Sequence, residues 1–221
     1  MTISAVIVAA GKSTRMNGKN KIFSILDGQP VLSYSVKTFL ECNIFEQIVV
    51  VVSELDYKMY FEYLKPFLSS NILLVFGGQR RQDSVKNGLD ALNKETLFVA
   101  IHDAARPFPN KHIIKKGLEV VSKYGSAIPV VPIVSTVKSV DDNGFIVNTL
   151  DRKGLVEAQT PQFFTLDMIL DIHDSIDDLC TDDANMAELY GNKIMTFGGD
   201  IINMKITSQA DLELAEKILK G

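Results

Sequence analysis

The sequence predicts an α/β fold, a Rossmann-like and mostly parallel sheet with helices on both faces, and three observations point to it. Short β-branched runs alternate with amphipathic helical patterns along most of the chain. The runs are apolar on both faces, as strands buried inside a parallel sheet are. The length, 221 residues, suits a single domain of this kind with a sizeable core. Repeated strand–helix alternation implies right-handed βαβ units, and ligands in such sheets bind beyond the carboxyl ends of the strands.

The elements follow in order. Ile3 to Val8 is the first strand, and Val31 to Cys42 carries Val31, Leu32, Val36, Phe39 and Leu40 as a helical stripe. Gln47 to Val52 has no polar residue after Gln47 and reads as a second strand. Leu55 to Phe67 is helical, Ile72 to Phe76 is a third strand, and Gln82 to Leu92 is again helical. Leu97 to Ile101 is the fourth strand, Asn110 to Tyr124 a helix, and Ala127 to Ile133 the fifth strand. Leu166 to Asp177 and Gln209 to Lys220 read as the last helices. Thr181 is expected to cap a helix starting at Asp182, and Asn203 to Ile206 to form a short strand with Lys205 facing away from Met204 and Ile206.

One stretch breaks the rhythm. Val137–Val140 and Phe145–Asn148 flank Asp141-Asp142-Asn143-Gly144. Asn-Gly between such segments signals a hairpin with a type I′ turn, which needs φ > 0 at both central residues. Residues 134–158 are therefore expected to leave the sheet as a β-arm within the single domain 1–221. A lone hairpin is only marginally stable, so docking on a second subunit is the role expected for it.

Composition removes several classes. Lys plus Arg is 23 and Asp plus Glu 27, a net charge of −4, which argues against non-specific nucleic-acid binding. Cys42 and Cys180 are far apart, and His102, His112 and His173 lack ligand spacing, which argues against structural zinc. The apolar start lacks a basic leading region, no apolar run reaches the roughly 18 residues of a membrane span, and a cytoplasmic location is expected.

Chemistry concentrates after the strands. The first strand runs into Ala9-Ala10-Gly11-Lys12-Ser13-Thr14-Arg15, followed by Lys19 and Lys21. A P-loop ending at Gly11-Lys12-Ser13 would need glycine at position 6, where Val6 stands. A dinucleotide fingerprint would need glycines at 13 and 16, where Ser13 and Met16 stand. A small-residue turn whose backbone N–H groups can face an anion remains, with four cations beside it, and this suggests a polyphosphate ligand. The third strand ends in Gly77-Gly78, which permits a tight turn, and Ser84 lies close behind. That hydroxyl suits either a base contact or a bond within its own turn. The fourth strand ends in His102-Asp103-Ala104-Ala105-Arg106, where Asp103 suits a ribose hydroxyl or a metal. Arg106 suits either a phosphate or a loop staple.

Six motifs then occur in an order that resembles the 2-C-methyl-D-erythritol 4-phosphate cytidylyltransferase family. They are Ala9-Ala10-Gly11 with Arg15-Met16 and Asn20-Lys21; Gly77-Gly78 with Arg81 and Ser84-Val85; His102 to Pro107; Thr149-Leu150-Asp151-Arg152; Gln159-Thr160-Pro161-Gln162-Phe163; and Asn203 to Thr207. The resemblance spans nearly the whole chain and implies a nucleotidyltransferase fold similar to that of A-type glycosyltransferases. Ribitol-5-phosphate cytidylyltransferase shares most of the motifs, but usually has a bulkier residue at Ala105, and Thr149 to Arg152 looks more like the erythritol enzyme. A catalytically silent nucleotide-binding regulator on the same fold is the alternative of another class.

The resemblance implies roles by position. Backbone of Ala9, Ala10, Gly11, Lys12 and Ser13 would wrap the triphosphate of CTP, and Arg15, Lys21 and Lys205 would be the catalytic cations. Gly77 and Ser84 would help select cytosine. Asp103, with Ala104 beside it, would sit near the ribose and near Mg²⁺, directly or indirectly. Arg106, Thr136, Arg152 and Thr160 would hold the polyol phosphate. An arm from one subunit would complete the site of the other, making a homodimer through 134–158. Two positions depart from the family pattern: Ser13 stands where glycine is usual, and Ser135 where aspartate usually precedes Thr136.

Overall fold

In a computed structural model, residues 1–11, 21–67 and 71–220 are described. The strands are β1 (Ile3–Val8), β2 (Ile25–Leu26), β3 (Gln29–Pro30), β4 (Phe45–Val52), β5 (Ile72–Phe76), β6 (Phe98–Asp103), β7 (Ser126–Pro132), β8 (Lys138–Val140), β9 (Ile146–Thr149), β10 (Val156–Ala158), β11 (Gln162–Thr165) and β12 (Met195–Gly198). The helices are α1 (Val31–Cys42), α2 (Tyr57–Leu64), α3 (Arg81–Asp90), α4 (Lys111–Tyr124), α5 (Leu166–Ser175), α6 (Asp183–Leu189) and α7 (Gln209–Lys220).

The main sheet runs β10-β7-β11-β6-β1-β4-β5, with β12 pairing β7. β1 lies between β4 and β6, parallel to both, and β5 extends the parallel set. Strand alternation divides the core between two layers. Ile3, Ala5 and Ile7, with Ile48, Val50 and Val52, pack with Leu32, Val36 and Phe39 of α1 and Ile113 and Ile114 of α4. Val6, Val49 and Val51 pack on the opposite face with Val85 and Leu89 of α3, Ile169 and Ile172 of α5, and Met186 of α6. A Cβ on Gly88 would fall 2.5 Å from Val6 Cγ1, so only glycine lets α3 lie this close to β1.

The mostly parallel α/β sheet is as expected, with antiparallel strands added at one side, and the structure departs from expectation at four places. β11 runs antiparallel between β6 and β7, so the sheet is mixed. Its alternation was hidden because Phe163 and Phe164 are both buried, one in each layer. The arm rejoins the sheet at Val156, where β10 pairs β7, and so is shorter than 134–158. Its turn is not type I′: Gly144 has φ 85° but Asn143 does not have positive φ. Asp141 Oδ1 accepts from the backbone of Asn143 and Phe145 (3.0 and 2.9 Å), which folds the turn around that carboxylate instead. Among the described residues, the pair with positive φ at both places is Asp27-Gly28, between β2 and β3. The cap of α6 is Asp182, not Thr181; its side chain accepts from Asn185 N at 2.8 Å. Finally, Asn203–Ile206 makes no strand.

Lys205 is nevertheless held in place from both sides. Asn203 and Ile206 are fully buried, and Ile206 N donates to Ala105 O at 2.8 Å. Ile206 packs with Leu212 and Ala215 of α7 and with Leu26 and Val31. The C-terminal helix thus fixes the segment that carries Lys205.

Candidate active site

The parallel strands deliver their carboxyl ends to one edge. Val8, the last residue of β1, pairs with both Val51 and Asp103, and the chain beyond it is tied back by Ala9 N to Val51 O (2.8 Å). Ala104 N reaches Val8 O at 3.0 Å, and Gly77 N reaches Val52 O at 2.9 Å. Two adjoining cavities open here. One, about 150 Å³, is lined by Val8, Ala9, Gly11, Lys21, Ile22, Arg81, Asp103, Ala105 and Lys205. The other, about 250 Å³, shares Val8, Gly11 and Arg81 and adds Ala10, Gly78, Gln79, Arg80 and Ser84. A Cβ on Gly77 would fall 2.4 Å from Ala10 Cβ and 2.7 Å from Ser84 Oγ, so glycine is required for the close approach that shapes this wall.

Asp103 is the hub of the first cavity. Lys205 Nζ donates to its Oδ2 at 2.6 Å and Arg81 Nε to its Oδ1 at 3.1 Å. Burial alone would raise this carboxyl's pKa; the Arg81 and Lys205 charges more than reverse that and hold it well below the usual carboxylate range. Arg81 in turn donates from Nη2 to Asp183 Oδ2 at 2.9 Å.

Behind Asp103 lies an uncharged relay. Arg106 O can only accept, so the proton of His102 sits on Nε2, 3.0 Å from that oxygen. Nδ1 then accepts from Thr160 Oγ1 (3.0 Å), which itself accepts from Asp103 N (3.1 Å). Burial pushes His102 down to about 4, so it is neutral at physiological pH. Thr160 reaches Asp103 because β10 and β11 both run along β7, with an irregularity between them: Ala158 pairs Val130, but Phe163 pairs Ala127, five residues against three. The two extra residues bulge, and Thr160 lies in the bulge.

The residues singled out from sequence therefore separate into groups. Lys21, Lys205, Asp103, Ala9, Ala10, Gly11 and Ser84 line the cavities, while Gly77 and Ala104 support their walls. Lys12, Ser13 and Arg15 lie outside the described residues. Ser84 Oγ accepts from Gly78 N and donates to Arg80 O, both at 3.1 Å, so the bond within its own turn is made. Arg106 is buried and gives Nη1 to Asn203 O (2.8 Å) and Nη2 to Ala158 O (3.3 Å): here it is the loop staple, not an open phosphate fork. Thr160 is likewise buried and spent on His102 and Asp103. Thr136 and Arg152 are exposed on the arm and line neither cavity, and the Arg152 guanidinium donates to Val134 O.

Sequence reasoning left Arg81 and Asp183 without roles. Both stand at the first position of a helix, α3 and α6, and no local spacing shows that these two starts meet. Gln162 fixes the second: its Nε2 donates to Asp182 Oδ2 (2.7 Å) and its Oε1 accepts from Ala184 N (3.0 Å).

A donor set for a metal is sparse. Among the described residues no three His, Cys, Asp or Glu side chains converge. One ionised carboxylate, Asp103, faces the cavity. That suits a hydrated Mg²⁺ carried by nucleotide phosphates, which takes one or two protein carboxylates, and does not suit an all-protein cage.

Comparison with known proteins decides the family. A profile described as 2-C-methyl-D-erythritol 4-phosphate cytidylyltransferase matches residues 3–221. The chain belongs to this family. The proteins of that name from Dehalococcoides mccartyi and Clostridium beijerinckii are 40% and 41% identical to it, over 99% of this chain and 96% and 99% of theirs. The crystal structure of 4-diphosphocytidyl-2C-methyl-D-erythritol synthase from Anaerococcus prevotii superposes with a TM-score of 0.89 at 28% identity, covering 100% of this chain and 96% of that one. No helix among the described residues is long and apolar enough to cross a membrane.

Proposed function

We propose that the chain joins CTP and 2-C-methyl-D-erythritol 4-phosphate, giving 4-diphosphocytidyl-2-C-methyl-D-erythritol and pyrophosphate in isoprenoid biosynthesis. Family membership supports the reaction. The observation that carries the chemistry is the cavity at the ends of β1 and β6, where Lys21 and Lys205 stand beside one held carboxylate, Asp103.

A phosphate oxygen of the acceptor attacks the α-phosphorus of CTP. A P–O bond forms, the bond to the bridging oxygen breaks, and its electron pair leaves with pyrophosphate. The nucleophile is already ionised, so no strong base is needed; neutral His102 faces Thr160 and a carbonyl, not the cavity. The task is to bring anions together and stabilise moving charge. Lys21, Lys205 and Arg15 do this in our reading. Mg²⁺, when bound, neutralises the phosphates, and Asp103 is the residue that would anchor it.

The second cavity takes the cytosine, with Gly77, Gly78 and Ser84 forming its wall and Ala9 to Ser13 wrapping the triphosphate. Asp103 and Ala104 flank the ribose. The acceptor's phosphate goes to Thr136 and Arg152. Both are exposed on the arm and line neither cavity of their own protomer, so we assign them to a partner's site in a homodimer. The arm supports this: Ile146 and its cross-strand partner Val140 are 64% and 59% exposed, and Phe145 and Val147 are exposed as well, apolar surface suited to a protein contact. Unpaired Cys42 and Cys180 suit the cytoplasm, where we place the enzyme.

Pyrophosphate release with CTP and Mg²⁺ tests the reading. We expect kcat/KM for 2-C-methyl-D-erythritol 4-phosphate to far exceed that for D-ribitol 5-phosphate. The reverse preference would overturn the acceptor, and no release with either would overturn the activity.

A further inference from the structure

We propose that Asp183 is a positioning residue for nucleotidyl transfer, acting through Arg81 on Asp103. The inference rests on the reading of Asp103 and Lys205 as the reaction centre.

Asp183 is fully buried at the first position of α6. Burial would raise its carboxyl's pKa; the Arg81 charge overrides this and keeps it ionised. Only one of its oxygens is well used: Oδ2 accepts from Arg81 Nη2 at 2.9 Å. Oδ1 has no hydrogen-bond partner and faces His173 Nε2, equally without one, at 3.6 Å. A buried carboxylate with an unbonded oxygen is a poor way to stabilise a fold, since a well-packed apolar group commonly does as well or better. Its value lies in what it does to Arg81.

The guanidinium of Arg81 is a planar fork. One prong meets Asp183 and the other Asp103, so the two carboxylates fix its plane and its place. This has two consequences at the cavity. First, Asp103 Oδ1 is held, which leaves Oδ2 facing Lys205 at 2.6 Å and sets the position of that ammonium. Second, Asp183 cancels the Arg81 charge from behind. Arg81 lines both cavities yet brings little net charge to either, and the work of meeting phosphate stays with the cations already assigned to it. With Asp183 uncharged, Arg81 would draw on Asp103 alone and compete with Lys205 for it.

Asp183→Asn keeps the shape and an acceptor oxygen but removes the charge. In the full-length enzyme we expect kcat to fall about 10–100-fold, the scale for losing an outer partner of a reacting group, with little change in KM for the acceptor. Arg81→Gln should fall similarly. If Asp183 acts through Arg81, the double variant loses no more than Arg81→Gln alone, because the second change has nothing left to act on. The double variant removes the half-buried cation and the buried anion together, so neither is left uncompensated, and it is expected to fold where Asp183→Asn alone does not. Melting temperature and calorimetric CTP binding accompany each measurement. A purely structural Asp183 predicts that turnover per folded enzyme stays within twofold of the parent, or that turnover returns as the double variant regains its melting temperature. Either result overturns the proposal, as do losses that multiply in the double variant. A parent enzyme inactive with CTP and the erythritol phosphate would instead overturn the function on which the proposal rests.

Discussion

Two regions of this chain carry candidate substrate contacts, and they are built in opposite ways. Around Asp103 the polar side chains are answered from within the protomer: Lys205 and Arg81 at its carboxylate, Thr160 and His102 behind its amide, Asp183 behind Arg81. On the arm, Thr136 and Arg152 stand in the open at the base of the hairpin, and Phe145 and Val147 are exposed nearer its turn. The centre is preorganised by burial, which fixes charge where charge will move. The arm is organised only along its own hairpin, and its apolar face is unmatched in the single protomer. One region is finished by folding; the other, in our reading, is finished by assembly.

The strongest way to break this comparison is at the centre. Lys21→Ala or Arg15→Ala should lower kcat by ~10²–10³, the scale for one preorganised stabiliser, with the fold intact by circular dichroism. Near-normal turnover would remove that residue from the mechanism.

Acid should act next, at the centre. His102 binds its proton more weakly when folded, at about 4, than at its ordinary 6.5. The unfolded chain therefore takes up the proton first. The stability linked to this group is whole above pH 6.5 and is lost as pH falls toward 4, by about 3 kcal/mol in all. Denaturant titrations across that window should show the loss, and His102→Asn should flatten the slope. An unchanged slope would mean that other groups govern the acid limit.

The arm gives a third test. Arg152→Ala should lower kcat/KM for the acceptor about 10–100-fold, as loss of charge-assisted bonds does, while CTP binding is kept. Mixed and re-equilibrated with Lys21→Ala, it should recover activity if the two residues serve one site from different subunits. Failure to recover would place both in one protomer and end the comparison. Ser84→Ala should have the smallest effect, about 1 kcal/mol or less in CTP binding, because its hydroxyl is already committed to Gly78 and Arg80.

Legibility in the sequence followed the range of the forces involved. The bounds of Ile3–Val8, Val31–Cys42, Ile72–Phe76 and Gln209–Lys220 are legible to the residue, because periodic burial is written locally. β11 is not, since its aromatic pair serves two cores at once and its neighbours in the sheet are distant in sequence. Lys205 was read as facing the site, although the strand expected for it is absent; burial of Asn203 and Ile206 fixes it instead. Arg106 illustrates the limit most clearly. A loop arginine and a buried staple have the same letter, and only the carbonyls of Ala158 and Asn203 distinguish them. The Arg81–Asp183 contact joins two helix starts 102 residues apart.

The bulge between β10 and β11 has a mechanical meaning. The arm ends at Val156, where the chain re-enters the sheet, and Thr160 follows four residues later with its hydroxyl under the Asp103 amide. A single extended segment is thus both the tether of the arm and the support of the reaction centre. Slack in such a tether is taken up where the ladder is irregular, at Gln159-Thr160-Pro161. A grip on the hairpin thus pulls on β10, the segment that runs directly into the residue seating the key carboxylate.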